Sequence, residues 1–418
     1  MLTSQFSIRN INFKSEQVFM LSALLVNGGN YLYNLILGRM LGPTQFADAA
    51  ILITLLMVLS FMAMTFQLTV AKFTAGSVDE DQTVFVNFLK KISLFIGVIL
   101  GIVIALFAEN LQILLQTSSK AMFYFFAAGI PLYFLMSVNR GYYQGNKNFF
   151  KLSVTYQGEM LSRLGITIIL LWTLNTDSSL LIAIGILASF IFGLLPYKKT
   201  TSTSIKKSVL DNKNTKSVLL FISITAFYEF TQIIINNSDI ILVKHYFEAY
   251  EAGLYASLAL IGRMVYFVAW MFVMILLPTV VKMKKNGENT LPVFFKYLSL
   301  ISLLAGSIVV ATYFIPEFII QLMFGKAYLA MAPLLWKYAL ATSLFAISNV
   351  FVYYFLSLEK YIPVIASGVF GIAQVSLIIF FHKSLEQVVE IQIIAMVLLL
   401  VIQLILFFYQ QNKNVELK

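Results

Sequence analysis

The stretch EFTQIIINNSDIILVKHYFEAYEAGLYASLALIGR, residues 229–263, decides the fold. Its first half is apolar, yet it carries Glu229, Gln232, Asn236 and Asp239, spaced by three, four and three residues. At about 100° per residue these four share one face of a helix. Polar groups inside a membrane helix are costly and face a bundle interior or a water-filled cavity. The stretch therefore predicts a membrane helix with a polar wall, followed by a second apolar helix.

The rest of the chain agrees with that environment. Of 418 residues, 60% are hydrophobic and 11% charged, and the mean hydropathy is +0.86. A soluble domain carries about 25% charged residues, so this composition belongs to a polytopic membrane protein. The chain has no cysteine, hence no disulfide or thiolate chemistry. Its two histidines, His245 and His382, are far apart in sequence, which speaks against a histidine metal site. The first residues are polar and the first apolar run is long enough to span, so a cleavable signal peptide is not expected.

Twelve spans of near 20 residues are expected, at about 17–38, 46–71, 88–108, 121–140, 152–174, 178–197, 217–240, 252–281, 293–315, 332–356, 361–381 and 388–410. Residues 198–216, KKTTSTSIKKSVLDNKNTK, form a basic linker that divides the chain into segments 1–197 and 217–418. With the N-terminus inside, 21 of the 29 basic residues, Arg140 among them, fall on the cytoplasmic side, three lie within spans (Arg163, Arg263 and Lys337) and five fall outside, the latter being Arg39, Lys120, Lys244, Lys326 and Lys383. That is a positive-inside distribution. It places both termini and the linker in the cytoplasm, and it accounts for the net charge of +10 without a nucleic-acid partner.

The halves look related. A shift of 205 residues brings Asn27 onto Gln232, Asn34 onto Asp239 and Arg39 onto Lys244. The first span thus has its own polar stripe, Asn27, Asn30 and Asn34, with a cation past its outer end. The expected fold class is an all-α integral membrane protein of twelve transmembrane helices in two six-helix lobes related by pseudo-two-fold symmetry, with a site between the halves.

Four charges are expected deep in the membrane: Glu159, Arg163, Glu229 and Arg263. Two readings stand side by side. Glu159 and Arg163, four apart with the acid first, form a favourable helix pair, and Glu229 and Arg263 are placed to pair between consecutive spans. Alternatively the arginines offer forked donors to a phosphate or carboxylate, and the acids carry a proton or a sodium ion. For Arg39 and Lys244 the alternatives are snorkelling to the headgroups or contact with substrate. Asp48 reads as a first-turn acid favoured by the helix dipole.

Four motifs carry a family resemblance: LGRMLGP at 37–43, RGYYQGNKNF at 140–149, NSDIILVKHYF with EAGLYA at 237–247 and 251–256, and AYLAMAPLL at 327–335. In this order and spacing the chain resembles bacterial polysaccharide (oligosaccharide repeat-unit) flippases of the multidrug/oligosaccharidyl-lipid/polysaccharide exporter superfamily. It departs from them at Ala47-Asp48, where a glycine and an apolar residue are expected.

The resemblance implies a cavity lined by spans one, two, seven and eight, and a cargo of glycan on undecaprenyl pyrophosphate, moved across the bacterial cytoplasmic membrane by alternating access. Candidate substrate contacts are Arg39, Arg163, Lys244, Arg263, Asn27, Asn30, Asn34, Gln232 and Asn236, and candidate ion-coupling acids are Glu159, Glu229 and Asp239. No cofactor is expected beyond a coupling H+ or Na+, and the partners implied are the lipid-linked glycan, the bilayer, a polysaccharide polymerase and other assembly proteins. No phosphate-binding GxxxxGK[ST] loop is present to hydrolyse ATP. The competing assignments are a multidrug/cation antiporter, whose cavity is acidic and aromatic, a peptidoglycan-precursor flippase with further spans, and a membrane glycosyltransferase or polymerase with an extramembrane domain.

Overall fold

The computed structural model describes residues 15–74, 79–198 and 212–416, with interruptions between 267 and 285 and at 359. Most of the linker at 198–216 lies outside the described residues, as does the side chain of Glu229. The elements are α-helices: α1 (Ser15–Thr74), α2 (Asp79–Leu106), α3 (Ala108–Leu114), α4 (Ala121–Gly145), α5 (Phe149–Thr173), α6 (Ser178–Gly193), α7 (Asn212–Tyr246), α8 (Ala249–Gly262), α9 (Leu291–Phe314), α10 (Pro316–Met323), α11 (Ala332–Ser357), α12 (Ile362–Phe380) and α13 (Leu385–Glu416). A 3-10 turn, Lys326–Met331, leads into α11.

Seven helices among the described residues are long and apolar enough to cross a membrane, not twelve. The expected arrangement of twelve helices in two six-helix lobes related by pseudo-two-fold symmetry is therefore not upheld. The physical reasons differ along the chain. The first two expected spans form one stretch, Leu21–Ala71, 51 residues long and kinked at Gly42 (φ 71°) just before Pro43. Helix α5 carries Lys151, Glu159 and Arg163 in 25 residues, and α6 and α8 have only 16 and 14 residues. Helix α7 is diluted by the polar residues that made it conspicuous in the sequence.

The chain clusters into two compact units. The first comprises residues 1–33, 63–108 and 121–222, the second 34–62, 109–120 and 223–418. The middle of α1 and the segment holding most of α3 thus belong with the C-terminal part of the chain.

In the first unit α4 packs against α2 and α6, and α5 against α6. Gly97 and Gly101 let α2 approach α4 closely: a Cβ at Gly97 would stand 2.9 Å from Pro131 Cα, and one at Gly101 2.8 Å from the Ala127 carbonyl. Small residues at such contacts are what membrane helices use to gain dispersion where no hydrophobic drive exists. Helix α5 begins at Asn148, whose side chain accepts from the Lys151 amide (3.2 Å). It stops before the polar turn at 175–177, where Asp177 caps α6.

In the second unit α11 packs against α9, α13 and α8. Its core is aromatic, with Phe294 of α9 stacked on Phe407 of α13 (centroids 4.9 Å) and tilted against Tyr354 of α11 (4.5 Å). Two amide side chains of α7 bond within the helix: Asn236 and Asn237 donate to the carbonyls of Gln232 and Ile233, one turn back. Such back-bonding spares a membrane helix unsatisfied amides.

Candidate functional site

Two buried polar clusters, one in each unit, contain half of the residues expected from the sequence: Asn30, Glu159 and Arg163 in the first, Asn236, Asp239 and Arg263 in the second.

The first lies on α4 and α5. Arg140 Nη2 donates to Glu159 Oε2 at 2.8 Å, and Arg163 Nη1 reaches Glu159 Oε1 at 3.5 Å. Two guanidinium groups thus face one carboxylate, and all three side chains are nearly buried. Arg140 is also fixed by Thr155, through its hydroxyl (3.2 Å) and its carbonyl (2.9 Å), and lies 3.9 Å from the centre of the Tyr156 ring. Arg163 donates to Asn30 Oδ1 of α1 and sits 5.6 Å from the Tyr33 ring. Its Nε is buried without a partner among the described residues. The expected Glu159 and Arg163 pair is present, but it is one side of a triad. Arg140, read from the sequence as a cytoplasmic topology residue, is 4% exposed and supplies the shorter bond.

The second cluster centres on Asp239 of α7. Its carboxylate accepts from Arg263 (3.0 Å), Tyr338 (2.7 Å) and Tyr255 (3.1 Å). Arg263 also donates to Asn237 Oδ1 at 3.2 Å, and Gln392 donates to the Tyr255 hydroxyl at 2.6 Å. Arg263 therefore pairs with Asp239, whereas the expected pairing with Glu229 involves a side chain outside the described residues. A small cavity beside this network is lined by apolar side chains, Ile235, Ala341, Phe345 and Met396, and by polar ones that include Asn236, Thr342, Gln374 and Gln392 beside Arg263. Gln374 Oε1 is buried there with no partner among the described residues.

The polar stripe of α7 divides. Gln232 is buried and accepts from Asn349 (3.0 Å) and Tyr266 (3.2 Å), Asp239 is buried in its network, and Asn236 faces the cavity. On α1, Asn27 is exposed and Asn30 and Asn34 are half-buried.

The two cations equated by the repeat have different surroundings. Lys244 is buried against Asp48 at 2.9 Å. Arg39 is exposed and donates to the Met323 carbonyl (2.8 Å) and to that of Leu322, at the end of α10. Sequence reasoning passed over Tyr255, Tyr338, Gln374 and Gln392. Their signal was present as isolated polar groups in apolar spans.

The comparisons agree with this architecture. A family model described as "Polysaccharide biosynthesis protein" matches residues 36–333. Among solved structures, a multidrug resistance transporter of the MATE family and MOP superfamily, inward-facing, superposes with a TM-score of 0.76 at 12% identity, covering 96% of this chain and 99% of that one. The lipid II flippase MurJ, in an inward closed conformation, gives 0.73 at 15% identity, covering 93% and 87%. The MATE multidrug transporter DinF-BH gives 0.63 at 17%, covering 99% and 98%. No curated protein matches the sequence. Several of its helices are long and apolar enough to cross a membrane, as befits a multi-pass membrane protein. The chain belongs to the polysaccharide biosynthesis protein family, with the fold of the MOP-superfamily transporters.

Proposed function

We propose that the chain is a flippase that moves undecaprenyl-pyrophosphate-linked oligosaccharide repeat units across the cytoplasmic membrane for surface polysaccharide assembly, by alternating access. The observation that carries this reading is the cluster on α4 and α5, where two guanidiniums share one carboxylate. That surplus of positive charge suits a pyrophosphate or an acidic sugar, because forked guanidinium donors match phosphate and carboxylate oxygens. A cationic drug would meet repulsion there. Membership in a polysaccharide family supports a glycan-bearing cargo, and the likeness to a lipid II flippase supports its lipid-linked form.

In this reading Arg163 and Arg263 take the anionic group, and Asn27, Asn30, Asn34, Gln232 and Asn236 meet sugar hydroxyls. Glu159, Glu229 and Asp239 are the acids through which H+ or Na+ would act, Glu159 and Asp239 by releasing an arginine when neutralised. Both termini and residues 198–216 lie in the cytoplasm, and a polymerase receives the product outside.

The test is reconstitution. Purified protein in liposomes holding a fluorescent undecaprenyl-pyrophosphate oligosaccharide should expose the inner-leaflet pool to an added, impermeant glycosidase. Cleavage confined to the outer-leaflet fraction, together with gradient-driven export of a cationic dye, would replace the flippase by a multidrug antiporter.

A further inference from the structure

An open cavity of ≈ 750 Å³, counting the solvent at its mouth, lies in the second unit between the kink of α1 and the turn after α10. Two cations line it, Arg39 and Lys326, and no carboxylate does. Neither cation makes an ion pair among the described residues.

Arg39 is held in a fixed position. Two of its donors are spent on the Met323 and Leu322 carbonyls at the C-terminal end of α10, where a cation also complements the helix dipole. A guanidinium has five N–H donors, so its outer edge remains for a ligand. Lys326 is exposed and follows Gly325, whose φ of 94° turns the chain at the rim. The floor is rigid and apolar. Phe324 and Tyr328 are buried with ring centroids 5.1 Å apart, and the Tyr328 hydroxyl donates to the Gly38 carbonyl at 2.8 Å.

The cavity lies where the chain passes from one helix long and apolar enough to cross a membrane, Leu291–Phe314, to the next, Lys326–Ser357. Helix α10 runs between them with Phe318 and Leu322, four residues apart, 63% and 62% exposed. Such a face belongs against hydrocarbon at the headgroup boundary. The site thus combines two uncompensated cations with neighbouring apolar side chains.

We propose that this cavity binds the phosphate of a lipid, with the headgroup on Arg39 and Lys326 and the chain along Phe318 and Leu322. The phosphate has two sources, a bilayer phospholipid or the pyrophosphate of an isoprenoid carrier, and only the second rests on the flippase reading.

Native mass spectrometry of the detergent-purified protein decides it, with short-chain phosphatidylglycerol, phosphatidylcholine, farnesyl pyrophosphate and inorganic pyrophosphate as probes. Lys326→Glu leaves the cap on α10 intact and is expected to weaken binding of the favoured anionic lipid by about tenfold or more, as loss of a charge-assisted contact requires. Arg39→Gln should act in the same direction. Lys383→Glu, an exposed lysine outside the cavity, should bind as the native chain does. Preference for farnesyl pyrophosphate assigns the site to the carrier, and preference for phosphatidylglycerol assigns it to the bilayer. Unchanged binding in both cavity variants, or an equal loss in Lys383→Glu, overturns the site, and inorganic pyrophosphate bound as tightly as either lipid overturns its lipid character. The measurement involves no translocation, so it can fail where the liposome assay succeeds, and the reverse.

Discussion

Lys244 Nζ lies 2.9 Å from Asp48 Oδ1, with the two side chains 2% and 8% exposed. The ammonium also donates to the Gln116 carbonyl (3.1 Å), and Asp48 Oδ2 accepts from the Ser118 amide (2.8 Å). One ion pair therefore joins α1 beyond its kink, the end of α7 and the loop that follows α3. Taking two charges out of water costs several kcal/mol per ion, and the remaining lone pairs and protons must be satisfied for the pair to hold. The Gln116 and Ser118 backbone groups do that here.

Lys244→Ala leaves Asp48 buried and uncompensated, and should destabilise the protein by about 3–5 kcal/mol. Asp48→Ala with Lys244→Ala should recover much of that loss. Thermal unfolding of the detergent-solubilised single and double variants checks it. Strictly additive effects would show that the two side chains do not act as a pair.

The two arginines on Glu159 should separate by assay. Arg140 is bound to Thr155, Glu159 and Tyr156, so Arg140→Ala should lower stability and protein yield. Arg163→Ala should keep yield near native and reduce flipping in liposomes by about tenfold or more, the loss expected of one charge-assisted anion contact. Arg163→Lys should restore it only in part, since an ammonium cannot present a fork. Equal loss of protein in both variants would make the whole triad structural.

Asp239 accepts from three side chains, and removing them should have unequal effects. Asp239→Ala strands Arg263 and should cost about 3–5 kcal/mol. Tyr338→Phe removes one hydrogen bond, worth about 0.6 kcal/mol on average between membrane helices. Unfolding midpoints rank the two, and a Tyr338→Phe variant as unstable as Asp239→Ala would contradict the assignment of Arg263 as the group that needs the carboxylate.

Topology is tested with single cysteines in a chain that has none of its own. Ser204→Cys should be protected from an impermeant thiol reagent added outside intact cells, and Glu248→Cys should react. Labelling of the first from outside would reverse the proposed orientation.

Much of the polar wiring was legible from residue spacing, because an isolated charge in an apolar run must find a partner. Glu159 and Arg163 were readable as a pair for this reason, their order and separation placing them on one helix face. Which partner a charge takes across the fold was less legible. That Arg263 bonds Asp239 depends on how α7 and α8 pack, which periodicity does not encode. Arg140 was hidden by the positive-inside count, which treats every basic residue near a helix end as solvated. Asp48 stood out as a departure from the family pattern, and its structural reason is Lys244, 196 positions later (244 − 48). The count of spans failed where length and hydropathy alone define one: the kinked α1 holds two expected spans in one stretch, and α5 carries three charges.

Residues 34–62 and 109–120 pack with a part of the chain that begins at Ser223, and this sets an order of events during synthesis. Asp48 leaves the ribosome 196 residues (244 − 48) before Lys244, which at about 5–20 residues per second is an interval of about 10–40 s. Throughout that interval the first hairpin holds an acid within an apolar segment and lacks Lys244, the cation that pairs with it in the folded chain. The nascent chain must keep Asp48 wetted at the interface or sheltered by the insertion machinery until α7 arrives. Final assembly of the first hairpin is thus postponed until more than half of the protein has been made.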